Sequence, residues 1–599
     1  MRLIFLSIRY KINVVQQGAT WYTNPRKGLA IMHLKKTPVR NGRIYLSAVE
    51  SRRDPKTKQT KKVTIQKFGY MDELEKIYTD PIGHFSAVVA QMNEAKTKEK
   101  SALTITINST HQVEGNERKN FGYVALSSIY HELEIHKFMA GRQQSLEIEY
   151  SLNSVLRLLV FSRLLAPGSK KKAYDEREWF FERCDFALVD VYRALSRFAE
   201  YTEALQLWMH ERIVATYGRD TSVTYYDVTN YYFEIDEQDE LRRKGVSKEH
   251  RPDPIVQMGL LMDNNGIPMA YQLFPGNAND CTTLLPILKR IRRQFQTGKA
   301  VVVSDKGLNT QKNAYYLANR RGGYVFSQSV RGGNAELKKY VLVQSGYNEN
   351  ESGFKKKSRQ FTRHIEFEDD NGQVIRATIA EKQVVFYSPE YDRRTKADRA
   401  SAIKKARAII NNPKNFTKQN TYGAAKYVRQ IEYDKSTGKI VTPASKLSFN
   451  EEVLAEDEKY DGYYVIVTNR YEKYDDWIID TYRGLWRIEE TFKVTKSELE
   501  ARPVYASRQD RIQAHFLICF VALIIIRILQ LKLGNAYSAG RILESLSKTC
   551  CSHLKDNFHM FDYNDEVTAQ IGSLMGINFA QKFRSQAEIK NIVAIVKNS

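Results

Sequence analysis

Four short runs of β-forming residues between positions 222 and 305 constrain the fold of this chain more than any other feature. The runs SVTYYDVTNYYFEI, PIVQMGLLMD and IPMAYQLFPGN are separated by polar or turn residues, and AVVVSD follows a helical segment near 281–297. Val, Tyr and Ile suit the surface of a sheet, and Asn-Asn-Gly is a turn sequence. The pattern predicts three strands joined in succession, then a helix, then a fourth strand.

This order of elements resembles the ribonuclease H-like core. The expected fold class is therefore α/β: a ribonuclease H-like catalytic core, interrupted by a mainly β insertion and preceded by a mixed α+β N-terminal region. The predicted segments are an N-terminal region at 1–215 (with 1–31 as a dispensable extension), the first part of the core at 216–319, the β-rich insertion at 320–460, the second part of the core at 461–535 and a C-terminal helical region at 536–599.

The balance of charge points to a polyanionic partner. Lys and Arg outnumber Asp and Glu by 92 to 69, which gives a formal net charge of +23. Such an excess favours nucleic acid as the partner, although basic charge also keeps large proteins soluble. Near the N-terminus, RIYLSAVESRRDPKTKQTKKVTIQKFGY predicts a β-hairpin with a basic tip, so the N-terminal region is the expected DNA-end binding part.

Other classes of protein are disfavoured. The five cysteines lack C-x-x-C spacing, so neither zinc nor disulfides are indicated. The longest apolar run, Phe516 to Ile526, is eleven residues, whereas a membrane span needs roughly twenty, so we expect a buried helix. The apolar start of the chain is broken by Arg9 and Lys11 and does not read as a signal peptide. A cytoplasmic protein, associated with the nucleoid when bound to DNA, is expected.

Three dispersed acidic residues form a candidate metal site. Asp227 interrupts the first strand, Asp305 ends the fourth, and Glu489 lies in YRGLWRIEETFKVTK, which predicts one helix over 482–496. Carboxylates at strand ends and on a neighbouring helix suit two-metal phosphodiester chemistry with two Mg²⁺ or Mn²⁺ ions. Taken singly, each aspartate also reads as a turn former, and Glu489 as the surface partner of Lys493 four residues on.

Bases and aromatic residues surround Glu489 on the predicted helix. Tyr482, Glu489, Lys493 and Lys496 fall close to one face by the helical period. The predicted DNA-binding residues are Tyr482, Arg483, Trp486, Arg487, Lys493 and Lys496.

The acidic segments resemble the DDE transposases of bacterial insertion sequences, in particular the IS-four superfamily with its Y-x2-R-x3-E-x6-K (YREK) signature and a β-strand insertion. The signature places hold Tyr482, Leu485, Glu489 and Lys496, so a leucine stands where the family has arginine. Residues 245–284 and 511–525 also look like this family, and the resemblance spans roughly 40 to 535.

The resemblance implies an activity and partners. Asp227, Asp305 and Glu489 would bind two divalent metals, and Tyr482 and Lys496 would hold the transposon-end strand. Such enzymes cut at element ends and transfer the freed 3′ end to target DNA, in cut-and-paste transposition. The implied partners are double-stranded DNA with terminal inverted repeats, target DNA and a second copy in a homodimeric synaptic complex. The alternatives are a catalytically inactive DNA-binding relative and another ribonuclease H-like nuclease.

Overall fold

A computed structural model describes two compact units, Met1–Val113 and Glu114–Ser599. The described residues are 32–39, 42–53, 60–101, 118–249, 251–295, 299–319, 322–418, 420–421, 423–434, 438–554 and 557–598. The predicted dispensable extension at 1–31 lies outside them.

The first unit is a three-stranded antiparallel sheet with helices. Its elements are β1 (Met32–Pro38), β2 (Ile44–Arg53), β3 (Thr60–Tyr70), α1 (Met71–Leu74) and α2 (Pro81–Ser101). The strands pair in the order β1-β2-β3. Leu46, Leu74 and Phe85 share one small core, and Met32, Ala48 and Val89 share another. The predicted hairpin is confirmed as β2 and β3, while its basic tip at 54–59 falls outside the described residues.

The second unit begins with one short strand and a set of helices. They are β4 (Arg118–Asn120), α3 (Tyr123–Glu132), α4 (Ile135–Gln143), α5 (Leu152–Leu165), α6 (Lys170–Asp175), α7 (Leu188–Glu200) and α8 (Thr202–Tyr217). The Ser151 hydroxyl caps α5 by accepting the Ser154 amide at 3.1 Å. The helices bury apolar residues in the same core as the strands that follow. The predicted N-terminal region of 1–215 thus takes in the whole first unit and most of the helices that open the second.

The centre of the second unit is a mixed sheet. The next elements are β5 (Val223–Tyr232), β6 (Ile255–Met262), β7 (Pro268–Pro275), α9 (Asp280–Gln294), β8 (Val301–Ser304), α10 (Gln311–Asn319) and β9 (Gly323–Gln328). Strands β5, β6 and β7 pair antiparallel, and β8 pairs parallel with both β5 and β9. The prediction of three successive strands, a helix and a fourth strand is confirmed, as is the α/β class.

The segment predicted as a β insertion joins the same sheet. It contains α11 (Ala335–Leu342), β10 (Asn348–Glu349), β11 (Lys355–Glu368), β12 (Val374–Tyr387), α12 (Pro389–Asn411), β13 (Val428–Arg429), β14 (Ser448–Phe449), α13 (Glu451–Glu458) and, just after it, β15 (Tyr463–Thr468). The full sheet runs β10-β11-β12-β15-β9-β8-β5-β6-β7. The predicted segment of 320–460 thus includes β9, a strand at the middle of the sheet, and its second half is mostly helix and irregular chain.

Three helices cross one face of the sheet. They are α14 (Asp475–Arg483), α15 (Trp486–Lys493), which continues as a π-helix (Val494–Glu498), and α16 (Gln509–Lys532). Helix α14 contacts β8, β9 and β15, α15 contacts β5, and α16 contacts β7. By length and composition, α16 is the one helix in the described part of the chain that could cross a membrane, but 89% of its most apolar stretch is buried in the fold. The prediction of a buried helix around Phe516 to Ile526 is confirmed.

The C-terminal region is not purely helical as predicted. It contains α17 (Ala539–Lys548), β16 (Cys550–Leu554), β17 (Phe558–Phe561), α18 (Glu566–Met575), β18 (Phe583–Ser585) and α19 (Gln586–Asn598). Its strands form a sheet in the order β18-β17-β16-β4, so a strand near residue 119 completes a C-terminal sheet. That pairing spans more than 400 residues of sequence, and no local pattern signals it.

Candidate active site

Asp227 and Asp305 come together through the parallel pairing of β5 with β8. Tyr225 lies opposite Val303, and Asp227 and Asp305 each come two residues further along, close enough for the charge of Asp305 to act on Asp227. Asp305 directly follows β8 with an extended backbone, at φ −75° and ψ 171°. Tyr225 and Val303 belong to the core under α15 and α16, and side chains alternate along a strand, so both carboxylates lie on that face.

The two carboxylates repel each other. Burial raises the pKa of the Asp227 carboxyl to about 6, with Asp305 and Asp280 adding to the rise and Lys248 opposing it. One Asp227 oxygen accepts the Val228 amide at 2.7 Å. A divalent cation bound between these two acids would stabilise their charged forms and relieve the repulsion between them.

Asp305 is oriented by hydrogen bonding and by its surroundings. The Ser327 hydroxyl donates to Asp305 Oδ1 at 2.8 Å. Close by, the hydroxyls of Tyr482 and Tyr464 share a hydrogen bond of 2.7 Å. Burial raises the pKa of Tyr482, and the neighbouring Tyr464 and Asp305 raise it further. Tyr482 therefore presents its hydroxyl to the Asp305 side of the site.

The predicted single helix over 482–496 is interrupted. Helix α14 ends at Arg483 and α15 begins at Trp486, with Gly484 and Leu485 between them in helical backbone conformations. A β-carbon on Gly484 would stand 2.1 Å from the Tyr225 hydroxyl, so only glycine allows this approach to β5. Leu485, at the place of the signature arginine, is buried in the core. An apolar side chain at this position packs; it cannot bind phosphate.

Glu489 lies on α15 above β5, but its side chain is exposed. Ile488 and Phe492 of the same helix are buried, which turns Glu489 to the flank. Within the described ranges, no three Asp, Glu, His or Cys side chains stand close enough to hold a metal ion. The structure thus brings Asp227 and Asp305 together and leaves Glu489 on the overlying helix. Oxygen donors of this kind fit Mg²⁺ or Mn²⁺.

The predicted DNA-binding residues near the break in the helix divide into exposed and anchored groups. Trp486 is 56% exposed. Arg483 is also exposed and pairs with Asp480 at 3.3 Å. Arg487 instead points back to the sheet, where it donates to the Tyr225 hydroxyl and to the Asn264 carbonyl, each at 3.4 Å. Its packing against the β6–β7 turn makes it an anchor of α15.

The two lysines further along have different surroundings. Lys493 is exposed. Lys496, in the π-helix, is half-buried and forms a 2.8 Å ion pair with Glu249. Burial lowers the pKa of Lys496, while Glu249 opposes that fall. Of the two, Lys496 is therefore the one held in a defined position.

Sequence reasoning missed several residues of this region. Lys248 lowers the pKa of Asp227 and Asp280 raises it. Ser327 donates a hydrogen bond to Asp305, and Glu249 forms an ion pair with Lys496. The segment KGVSKEHRPD reads as an ordinary charged turn, and Ser327 as an ordinary strand residue. The tertiary neighbours that give them importance are 20 to 247 residues away in the chain.

Replacing Asp227 with Asn should make the protein more stable at pH 8. Between the ordinary value of 3.8 and the folded value of about 6, folded Asp227 keeps a proton that the unfolded chain has lost. Stability therefore falls as pH rises through this window, and Asn avoids that loss. We expect a gain on the order of 2 kcal/mol for Asp227→Asn at pH 8 and none at pH 4, measured by denaturant unfolding without divalent metal. A less stable variant at pH 8 would contradict the assignment.

Two family models match the chain. The transposase DDE domain matches residues 242–525, a range that contains Asp305 and Glu489 but begins after Asp227. The N-terminal domain of the IS1634 family of transposases matches residues 34–103, which correspond closely to the first unit.

Solved transposase structures are also similar to the chain. A piggyBac transposase synaptic complex with hairpin DNA is 8% identical, with 84% of this chain and 80% of that chain covered and a TM-score of 0.27. A Mos1 transposase paired-end complex with the left transposon end is 12% identical, with 39% and 66% covered and a TM-score of 0.14. No curated protein matches the chain. With a match to a transposase DDE domain over residues 242–525 and to an IS1634-type transposase N-terminal domain over residues 34–103, this chain is a DNA transposase.

Proposed function

We propose that this transposase cuts DNA at the ends of its insertion sequence and transfers the freed 3′ ends to target DNA, with Asp227, Asp305 and Glu489 as the catalytic carboxylates. The closeness of Asp227, on β5, to Asp305, which directly follows the parallel partner strand β8, carries the proposal. Helix α15 lies over the same strand and supplies Glu489.

The strand order supports a ribonuclease H-like core. Strands β7-β6-β5-β8-β9 have three antiparallel members followed by two that run parallel to β5. Aspartates at the middle of the first strand and the end of the fourth then meet at one edge of the β5–β8 pair. The YREK signature fits less well, because Leu485 is part of the core.

The side chains have separable tasks in this proposal. Asp227 and Asp305 supply carboxylate oxygens for two divalent cations, which would activate the attacking hydroxyl and stabilise the leaving oxygen. Ser327 keeps the Asp305 carboxylate in one orientation through its 2.8 Å hydrogen bond. Glu489, exposed on α15, completes the set from the opposite side as the DNA arrives. Tyr482, beside Asp305, orients the strand next to the carboxylates.

The partners follow from the same chemistry. Arg483, Trp486 and Lys493 are exposed on the helices next to the site, where cations and a large ring suit a DNA backbone and its bases. Lys496 is the inner cation of this group. We propose inverted-repeat DNA and target DNA as substrates, bound by a homodimer in a synaptic complex, with the N-terminal unit contributing to recognition of the ends.

The test is strand cleavage of a DNA that carries the two flanking element ends. We expect nicking at the ends with Mg²⁺ or Mn²⁺ and none with a chelator. Binding without cleavage under all metal conditions would refute the catalytic proposal and leave a DNA-binding protein.

A further inference from the structure

The segment before β6 is tied to β5 beside the carboxylates. The Asn230 side-chain amide donates to the Val246 carbonyl at 3.2 Å, and the Lys248 ammonium donates to the carbonyl of Val228, the residue after Asp227. The Ser247 hydroxyl accepts the Glu249 amide at 3.3 Å and so shapes the turn. These bonds place Glu249 at a defined position along β5.

Glu249 bridges two cations that come from different elements. Its Oε1 accepts from the Lys496 ammonium at 2.8 Å. The same oxygen forms an ion pair with Arg502, which lies beyond the π-helix. The side chains of Lys496, Arg502 and Glu249 are 12%, 25% and 24% exposed, so the cluster is largely shielded yet reachable from solvent.

Lys496 and Arg502 both contact Glu249, and their positive charges would repel each other without a shared anion. Arg502 and Lys248 both push the pKa of Lys496 down, in addition to burial, and Glu249 pushes it up. A shared carboxylate offsets this repulsion and fixes two long side chains whose ordering would otherwise cost entropy. Lys248 faces the Asp227 and Asp280 carboxylates, whereas Lys496 and Arg502 share the single carboxylate of Glu249, which leaves one excess positive charge on that pair. The remaining N–H donors suit an oxygen-rich anion.

We propose that Lys496 and Arg502 form a two-cation clamp for one phosphodiester of the DNA end, and that Glu249 is the positioning residue that holds this clamp at the end of β5, along the same strand as Asp227. The inference rests on the proposed function, and it adds Arg502 and Glu249 to the DNA-end site. The clamp lies further along the same strand than Asp227: the Lys496 ammonium is 5.6 Å from the Tyr231 ring and the Arg502 guanidinium is 5.9 Å from the Tyr232 ring, four and five residues beyond Asp227 on β5.

The first test compares Glu249→Gln with the wild type in nicking under single-turnover conditions at saturating DNA. We expect the rate to fall at least tenfold while affinity for the ends stays equal or rises, because the substitution loosens the clamp but removes a negative charge. Glu249→Asp, which keeps the charge, should retain more of the rate. The matched control is Glu234→Gln, which removes the same charge from an exposed residue that pairs with Arg251 and not with the clamp. A Glu249→Gln enzyme that nicks at the wild-type rate would overturn the positioning role.

The second test needs no catalysis. Arg502→Gln should lower the slope of log affinity against log salt by about one, as expected for the loss of one phosphate contact. A neutral methylphosphonate scanned through the end should weaken wild-type binding at one position and have a smaller effect at that position with Arg502→Gln, where Lys496 alone remains to contact the phosphate. An unchanged slope, together with equal methylphosphonate effects in both proteins, would overturn the clamp.

The two proposals fail separately. If the wild type binds ends but never cuts, the proposed cleavage activity fails while the salt and methylphosphonate measurements still decide the clamp. If the wild type cuts and both Glu249→Gln and Arg502→Gln behave like it, only the clamp fails. Should Glu249→Gln not fold, as judged by its thermal unfolding, the Arg502→Gln measurements decide.

Discussion

Asp227→Asn, Asp305→Asn and Glu489→Gln are each expected to abolish nicking at the element ends, with rates at least 1000-fold below wild type, or about 4 kcal/mol of lost transition-state stabilisation. Each substitution replaces a carboxylate oxygen that would bind a divalent cation with an amide of the same shape. Affinity for the ends in Ca²⁺ should stay within about threefold, because the folded scaffold and the basic residues are unchanged. The measurement is cleavage of labelled ends alongside a gel-shift titration.

The control for Glu489 is its neighbour. Glu490 points away from the site and pairs with Arg527 at 3.4 Å, so Glu490→Gln should cut at close to the wild-type rate. If Glu489→Gln cuts as well as Glu490→Gln, then Glu489 is a surface residue and the third carboxylate lies elsewhere. Asp280, which already influences Asp227, would be the next residue to test.

Asp263→Asn is expected to destabilise the second unit by about 3 kcal/mol or more, because it removes one partner of a buried ion pair. Asp263 directly follows β6 at the turn into β7, and its Oδ1 accepts the Asn265 and Ile267 amides at 2.9 Å each. Its partner Arg219 lies 3.6 Å away, and both side chains are completely buried. Asn can keep the turn bonds but leaves a buried guanidinium uncompensated.

The double variant Arg219→Met with Asp263→Asn separates charge from turn geometry. Removing both charges should recover much of the loss, because an apolar side chain needs no buried counter-ion. Denaturant unfolding of the single and double variants measures this recovery. The control is Asp220→Asn at a half-buried neighbour, which we expect to lose less than about 1.5 kcal/mol of stability. Equal losses in the single and double variants would show that the turn, and not the ion pair, carries the stability.

The sheet was readable from sequence because its strands are local. The runs around Tyr225, Leu260 and Tyr271 are rich in apolar and aromatic residues, and each is bounded by polar or turn residues, so pattern alone predicts successive strands. Among these three strands, only β6 and β7 are joined by a short turn, since residues 233–254 separate β5 from β6. The apolar stretch in α16 was likewise identifiable as buried, since it is bounded by the polar residues His515 and Arg527. The boundaries between the predicted segments were harder to predict from the sequence. The predicted insertion contained a central strand, because β9 has the same local composition as the strands of the insertion.

The sequence by itself determined the α/β class, the first four strands of the catalytic sheet and the three acidic residues worth testing, because strand patterning and carboxylate placement are properties of neighbouring residues. Only the tertiary structure decided that Asp227 comes close to Asp305, that Leu485 is buried, and that Glu249 holds Lys496 with Arg502. Each of these depends on the register between distant strands or on a contact between segments far apart in the chain. Charge repulsion, burial and pairing act through space, so they take effect only when the folded chain brings those segments together.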